Sequence, residues 1–167
     1  MLHEDCEHRA TQDLNRAVGY AAVFISKGGF MQVVSRLLGT FEIDPDTIIT
    51  FPRPLPGIEH CQRYKLLREN TAQPVLYYMQ ALEDPEVTFS LVEPALLGVR
   101  YEIMLDDTEE RLLELQDPND LFIVLLLSRE SSTSPIDARP HMPIIINTAS
   151  RVGLQKQGLK CDIIYHS

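Results

Sequence analysis

Residues 74–94 read PVLYYMQALEDPEVTFSLVEP, and this stretch narrows the possible folds more than any other. Its opening apolar run, Val75-Leu76-Tyr77-Tyr78-Met79, suits a strand buried on both faces. In Glu83-Asp84-Pro85-Glu86, Pro85 presets φ for a turn and Asp84 is placed to bond back to the local backbone. The return segment alternates. Val87, Phe89, Leu91 and Glu93 share one face, and Thr88, Ser90 and Val92 the other. The pattern predicts a hairpin with an apolar body and an acidic tip, the spine of a small β-rich domain that presents acid to a partner.

Further strand signals flank it. Residues 32–38 and 40–43 read as two strands about Gly39, Asp44-Pro45-Asp46 as a turn, and 47–51 as a β-branched and aromatic strand. Pro52, Pro54, Pro56 and Gly57 forbid a central strand and make a rigid surface connector. Residues 64–67 and 101–105 are strand candidates. Asp107-Thr108-Glu109-Glu110 predicts a short helix, with Asp107 capping its first turn, Glu110 at its third position, and Leu112, Leu113 and Leu115 on its apolar side. Asp117-Pro118-Asn119-Asp120 ends that helix. Residues 121–127 are all apolar and predict a buried central strand. A Ser/Thr/Pro loop follows over 128–139, then a strand over 143–146 closed by Asn147-Thr148, and a hairpin over 152–164 bending near Gly158. Together these predict a mainly β fold, a small, strongly twisted antiparallel sheet or barrel with one short helix.

Composition decides which functions remain. The chain has 167 residues, enough for one ordinary domain with a real core. No apolar run approaches the roughly 18 residues that span a bilayer, so no membrane role is expected. A net charge of −9 disfavours direct nucleic-acid binding and favours a basic or neutral partner. Between Glu83 and Asp120 stand twelve acids (Glu83, Asp84, Glu86, Glu93, Glu102, Asp106, Asp107, Glu109, Glu110, Glu114, Asp117, Asp120), opposed only by Arg100 and Arg111. Such an imbalance speeds encounter with a basic protein and repels competing nucleic acid. The three dispersed cysteines, Cys6, Cys61 and Cys161, fit free thiols in a reducing cytoplasm.

Residues 1–30 differ from the rest. Glu4, Asp5 and Glu7 stand where a signal peptide needs basic residues, and 10–25 reads either as a short helix or as a tail. We expect 1–30 to be an extension, disordered or not native, before a domain over 31–167 whose natural start is Met31. His3, Cys6 and His8 lack a fourth ligand at a familiar spacing, so no metal and no cofactor are expected. No Gly-rich phosphate loop is present, and Ser128, Ser131, Ser132 and Ser134 have linker surroundings. His60 and His141 read as surface side chains. No catalytic residue is assigned.

Met31 onward resembles the flagellar assembly factor FliW family. The resemblance rests on Ile49-Thr50-Phe51-Pro52, Leu55-Pro56-Gly57-Ile58-Glu59 and Tyr64-Lys65-Leu66-Leu67. It continues through Met79-Gln80-Ala81-Leu82-Glu83-Asp84-Pro85, Phe89, Pro94 and Tyr101, then Pro143-Ile144-Ile145-Ile146-Asn147, Arg151-Val152-Gly153 and Gln155. Departures are Pro54 and Ile58 in place of Gly and Phe, Arg139-Pro140-His141-Met142 before Pro143, and an end at Tyr165-His166-Ser167 without a basic residue. The resemblance implies a β-barrel-like protein without catalytic activity. It would bind the translational regulator CsrA, relieve its repression of flagellin messenger RNA, and bind flagellin itself. On this reading Glu83, Asp84, Glu86 and Glu93 contribute charge to the partner interface, with Tyr78, Met79 and Gln80 beside them. The competing expectations are a flagellin-holding chaperone without a regulator partner, and a small-ligand or enzyme domain with a pocket near His60 and Asp84.

Overall fold

The computed structural model describes residues 23–25, 28–69, 75–128, 133–157, 159 and 162–163. His3, Cys6, His8, Gly158 and Tyr165-His166-Ser167 lie outside them; of the expected helix over 10–25, only Val23–Ile25 is described, and it is a strand.

In chain order the elements are β1 (Val23–Ile25), β2 (Met31–Ser35), β3 (Gly39–Ile43), β4 (Ile48–Thr50), β5 (Arg63–Glu69), β6 (Leu76–Ala81), β7 (Thr88–Val92) and β8 (Val99–Arg100). Helix α1 (Asp107–Leu112) and strands β9 (Leu121–Ser128), β10 (Asp137–Ala138), β11 (Ile144–Asn147), β12 (Val152–Gln155) and β13 (Asp162–Ile163) follow. Seven strands close a barrel in the order β9-β11-β12-β4-β5-β6-β7, and β7 returns to β9. Closure leaves no end strand among these seven, and the short β10 adds to β9 as an eighth. Every pairing in the wall is antiparallel except β12 with β4, where Val152 lies beside Thr50.

Strand alternation divides the apolar residues. Phe51, Tyr64, Met79, Leu91, Val124 and Ile144 fill the barrel, with the Phe51 and Tyr64 rings edge to face at 5.1 Å. Outward residues are covered too. Leu113 of the α1 end packs on Ile145, Val152 and Leu154. The β2–β3 hairpin brings Val33 and Ile43 onto Leu82, and Val99 packs on Val92 and Leu125. This explains the unbroken apolar run of β9. Phe122, Val124 and Leu126 face inward, Leu121 and Ile123 meet the α1 cluster, and Leu125 and Leu127 meet the Val92 cluster.

Three expectations are corrected. The helix starts one residue earlier: Asp106 is the N-cap, its carboxylate accepting from the Thr108 and Glu109 amides, and Glu109 completes the capping box. Asp106 wins because Glu109, unlike Glu110, is turned inward, where Lys156 also donates to it at 2.5 Å. Residues 101–105 form no strand; the pairing falls on β8 just before them, which takes β13 as partner. β12 and β13 therefore form no hairpin with each other, since β12 is already bordered by β11 and β4.

Candidate protein-binding surface

The tip joining β6 to β7 is held by side chains pointing back into it. Asp84 Oδ1 accepts from the Glu86 amide at 2.9 Å, and the Val87 amide donates to the Asp84 carbonyl. Gln80 is wholly enclosed. Its Nε2 donates to the carbonyls of Ala81 at 2.9 Å and Asp84 at 3.1 Å, and its Oε1 accepts from the Thr88 hydroxyl. Met79, also without exposed surface, packs in the barrel interior. Met79 and Gln80, expected beside a partner, are both turned away from solvent. Alternation turns Met79 inward, and the turn's carbonyls require Gln80 as their donor.

The three tip acids are brought together, each against a basic side chain from another element. Arg63 donates to Glu83 at 2.8 Å, His60 Nε2 lies 3.0 Å from Asp84 Oδ2, and Arg36 of the β2–β3 turn donates to Glu86 at 2.5 Å. Glu93 is not with them. It follows the far end of β7 and accepts from the Tyr77 hydroxyl at 2.7 Å. Tyr78, partly exposed, donates to Glu69 at 2.8 Å. Arg36 and Arg63 escaped the sequence reading because nothing local marks them; only the β4–β5–β6 register and the β2–β3 turn place them, whereas His60 was already singled out together with Asp84.

The remaining acids divide by role. Asp106 and Asp117 cap turns and Glu109 is buried, whereas Asp107, Glu110 and Glu114 are exposed around a concavity of about 630 Å³ shared with Arg111, Leu115 and Gln116. From the tip on β6 to the α1 end on β11, the wall runs through β7 and β9 one way and through β5, β4 and β12 the other. The shorter way is three steps, about 14 Å of barrel wall, against a Debye length of about 8 Å at physiological salt. The paired acids of the tip and the open acids of the α1 end are therefore separate regions in place of a single negative face.

His60 and Asp84, expected near a pocket, do meet, and the buried Cys61 Sγ joins them; the three ligand atoms lie within 4.8 Å of one another. Asp84 is poorly tuned as a proton donor, and Cys61 as a nucleophile, at neutral pH. The His60 hydrogen bond and the Glu86 amide hold the Asp84 carboxyl below its usual range. Burial, with Glu83 and Asp84 nearby, pushes the Cys61 thiol to about 11. A mostly apolar groove of about 330 Å³ lies elsewhere, bordered by Leu55, Ile58, Phe89, Leu126, Arg139 and Met142. Ile58, Arg139 and Met142 are among the positions at which the sequence departs from the pattern it resembles. No helix among the described residues is long and apolar enough to cross a membrane.

Comparison with known proteins bears directly on this architecture. The family model described as FliW protein matches residues 32–158. A flagellar assembly factor FliW of Chromobacterium violaceum is 42% identical over 146 residues, covering 82% of this chain and 99% of that protein. The namesake of Azoarcus sp. is 33% identical over 141 residues, covering 80% and 97%. A solved crystal structure of the flagellar assembly factor FliW superposes with a TM-score of 0.66 at 27% identity, covering 74% of this chain and 86% of that one. A closed barrel carrying these signatures in this order belongs to the FliW family of flagellar assembly factors.

Proposed function

We propose that this chain is a non-catalytic, cytoplasmic, protein-binding regulator of flagellar assembly. It captures the translational regulator CsrA and antagonises it, and it also binds flagellin, so that the flagellin level sets how much regulator is free. Membership of the FliW family across residues 32–158 carries this reading. The net charge of −9 supports it, because a protein that grips RNA phosphates needs basic surface of its own.

The two acidic regions have different parts in capture. Exposed Asp107, Glu110 and Glu114 supply long-range attraction. The tip acids Glu83, Asp84 and Glu86 act at contact, exchanging their own basic neighbours for the partner's. For the Arg36–Glu86 pair that exchange is cheap, since exposed ion pairs are worth about 0–1 kcal/mol. Tyr78 and Glu93 belong to the flank of the same hairpin, while Met79 and Gln80 hold its shape from beneath.

Binding of the purified chain to purified CsrA and to purified flagellin tests this. Both are expected to bind, with Glu110→Lys plus Glu114→Lys slowing CsrA association at low salt. Glu83→Lys plus Glu86→Lys is expected chiefly to speed dissociation. Unchanged affinity in that second variant refutes the placement at the tip. Retention of flagellin with no affinity for CsrA establishes the holding role instead.

A further inference from the structure

We propose that His60, Cys61 and Asp84 form a binding site for a divalent transition-metal ion of the zinc type, clamping the 52–62 connector to the β6–β7 tip. The three groups offer one nitrogen, one sulfur and one oxygen within 4.8 Å of each other. Imidazole, thiolate and carboxylate together select zinc-like ions over magnesium or calcium, which prefer all-oxygen shells. Ligand atoms around such an ion, at bonds of about 2.0–2.3 Å, stand roughly 3.5 Å apart, so the trio must draw in by about 1 Å at its widest. The exposed His60 ring, already 3.0 Å from Asp84 Oδ2, is free to make that adjustment.

The other two ligands are held before any ion arrives. The Glu86 amide fixes the Asp84 carboxylate through Oδ1, leaving Oδ2 to face His60. The Cys61 amide donates to the Ile58 carbonyl at 2.9 Å, while the Gly57 amide donates to Glu59 at 2.8 Å, so the connector's turn is closed on both sides. Cys61 provides the inner ligand on the core side, with His60 and Asp84 toward solvent. This leaves an outward coordination position for water or for an incoming side chain. Prior orientation of this kind raises metal affinity. The site stands independently of which protein partner the chain binds.

The test uses the full chain with Cys6→Ser and Cys161→Ser, under reducing conditions, titrated with cobalt(II) alone. A thiolate-to-cobalt charge-transfer band saturating at one ion per chain, and abolished by zinc, is expected. His60→Ala and Asp84→Asn alter outward-facing groups, and the latter keeps a side-chain oxygen for the Glu86 amide. Each should weaken cobalt binding by roughly tenfold or more, at least the loss typical of removing a group that merely orients a ligand. Absence of the band overturns the proposal, as does a band of unchanged affinity in both variants.

Discussion

Replacing Gly153 by alanine tests the barrel at its tightest point. Gly153 is buried on β12, and a methyl group there would lie 2.5 Å from Phe51 Cζ, 2.7 Å from Cε2 and 3.0 Å from Cε1. Carbon atoms in contact settle at about 3.5–4.0 Å, so the ring must retreat by about 1 Å. It has little room to do so. Phe51 has no exposed surface and stands edge-on to Tyr64, itself fully buried inside a closed sheet. Overpacking costs about 1–3 kcal/mol, and this enclosure puts the substitution near the upper end. Alanine returns up to about 1 kcal/mol by restricting the unfolded chain. The net loss is about 2 kcal/mol, or a Tm lower by roughly 4–8 °C for a domain of this size. Urea unfolding followed by circular dichroism measures it. The decisive comparison is the double variant with Phe51→Leu, which removes the clash and should lose less than the two single variants summed. Gly153→Ala at or above the parent's stability, or strict additivity with Phe51→Leu, refutes the argument.

Gln80→Ala should cost about 2 kcal/mol, because it strips the Ala81 and Asp84 carbonyls of their buried donor. In folded protein its CsrA affinity should match the parent's; weaker binding with an unchanged Tm would make Gln80 a contact residue instead. Asn147→Ala should cost about 3 kcal/mol by urea unfolding, since the buried amide group donates to Leu113 and Glu114 carbonyls and accepts from the Ala149 and Ser150 amides. A loss below about 1 kcal/mol would mean that other groups fasten the α1 end to β11. Asp106 is held below its ordinary pKa of 3.8, chiefly by the Glu109 amide. Its depressed folded value means stability that is present above pH 3.8 and lost as pH falls through that folded value. Acid titration of Asp106→Ala should therefore show a shallower stability loss below this point; an identical acid limb refutes it.

Local patterns in the sequence were legible wherever strand chemistry was local. The alternation of Val87, Phe89 and Leu91 located an inner face, and the Asp84-Pro85 turn located the tip. Residues 121–127 read as a buried strand because apolar cover on both faces leaves its mark on every position. What escaped depended on register between distant segments. Residues 101–105 have strand-forming side chains, yet β8 takes the available partner, so propensity yields to topology. The ion pairs at the tip unite positions 20, 24 or 50 residues apart, and no composition count reveals that Glu83, Asp84 and Glu86 are already answered.

Several signature residues that bring this chain to its family turn out to be interior fastenings. Gly153 makes room for Phe51, Gln80 satisfies the tip turn, and Asn147 ties α1 to β11. Two of the matched runs, Ile49-Thr50-Phe51-Pro52 and Arg151-Val152-Gly153, meet at the parallel β4–β12 contact that lets the wall close. Gly153, Gln80 and Asn147 specify a barrel and cannot by themselves choose a partner, because all three are buried. Choice must lie in what the barrel displays: the paired acids of the tip, the open acids beside α1, and the apolar groove that Ile58, Arg139 and Met142 border. Variants at the exposed positions among these, Glu86, Asp107, Glu110, Glu114 and Arg139, should change binding while leaving Tm within about 1–2 °C, and variants at the fastenings should do the reverse.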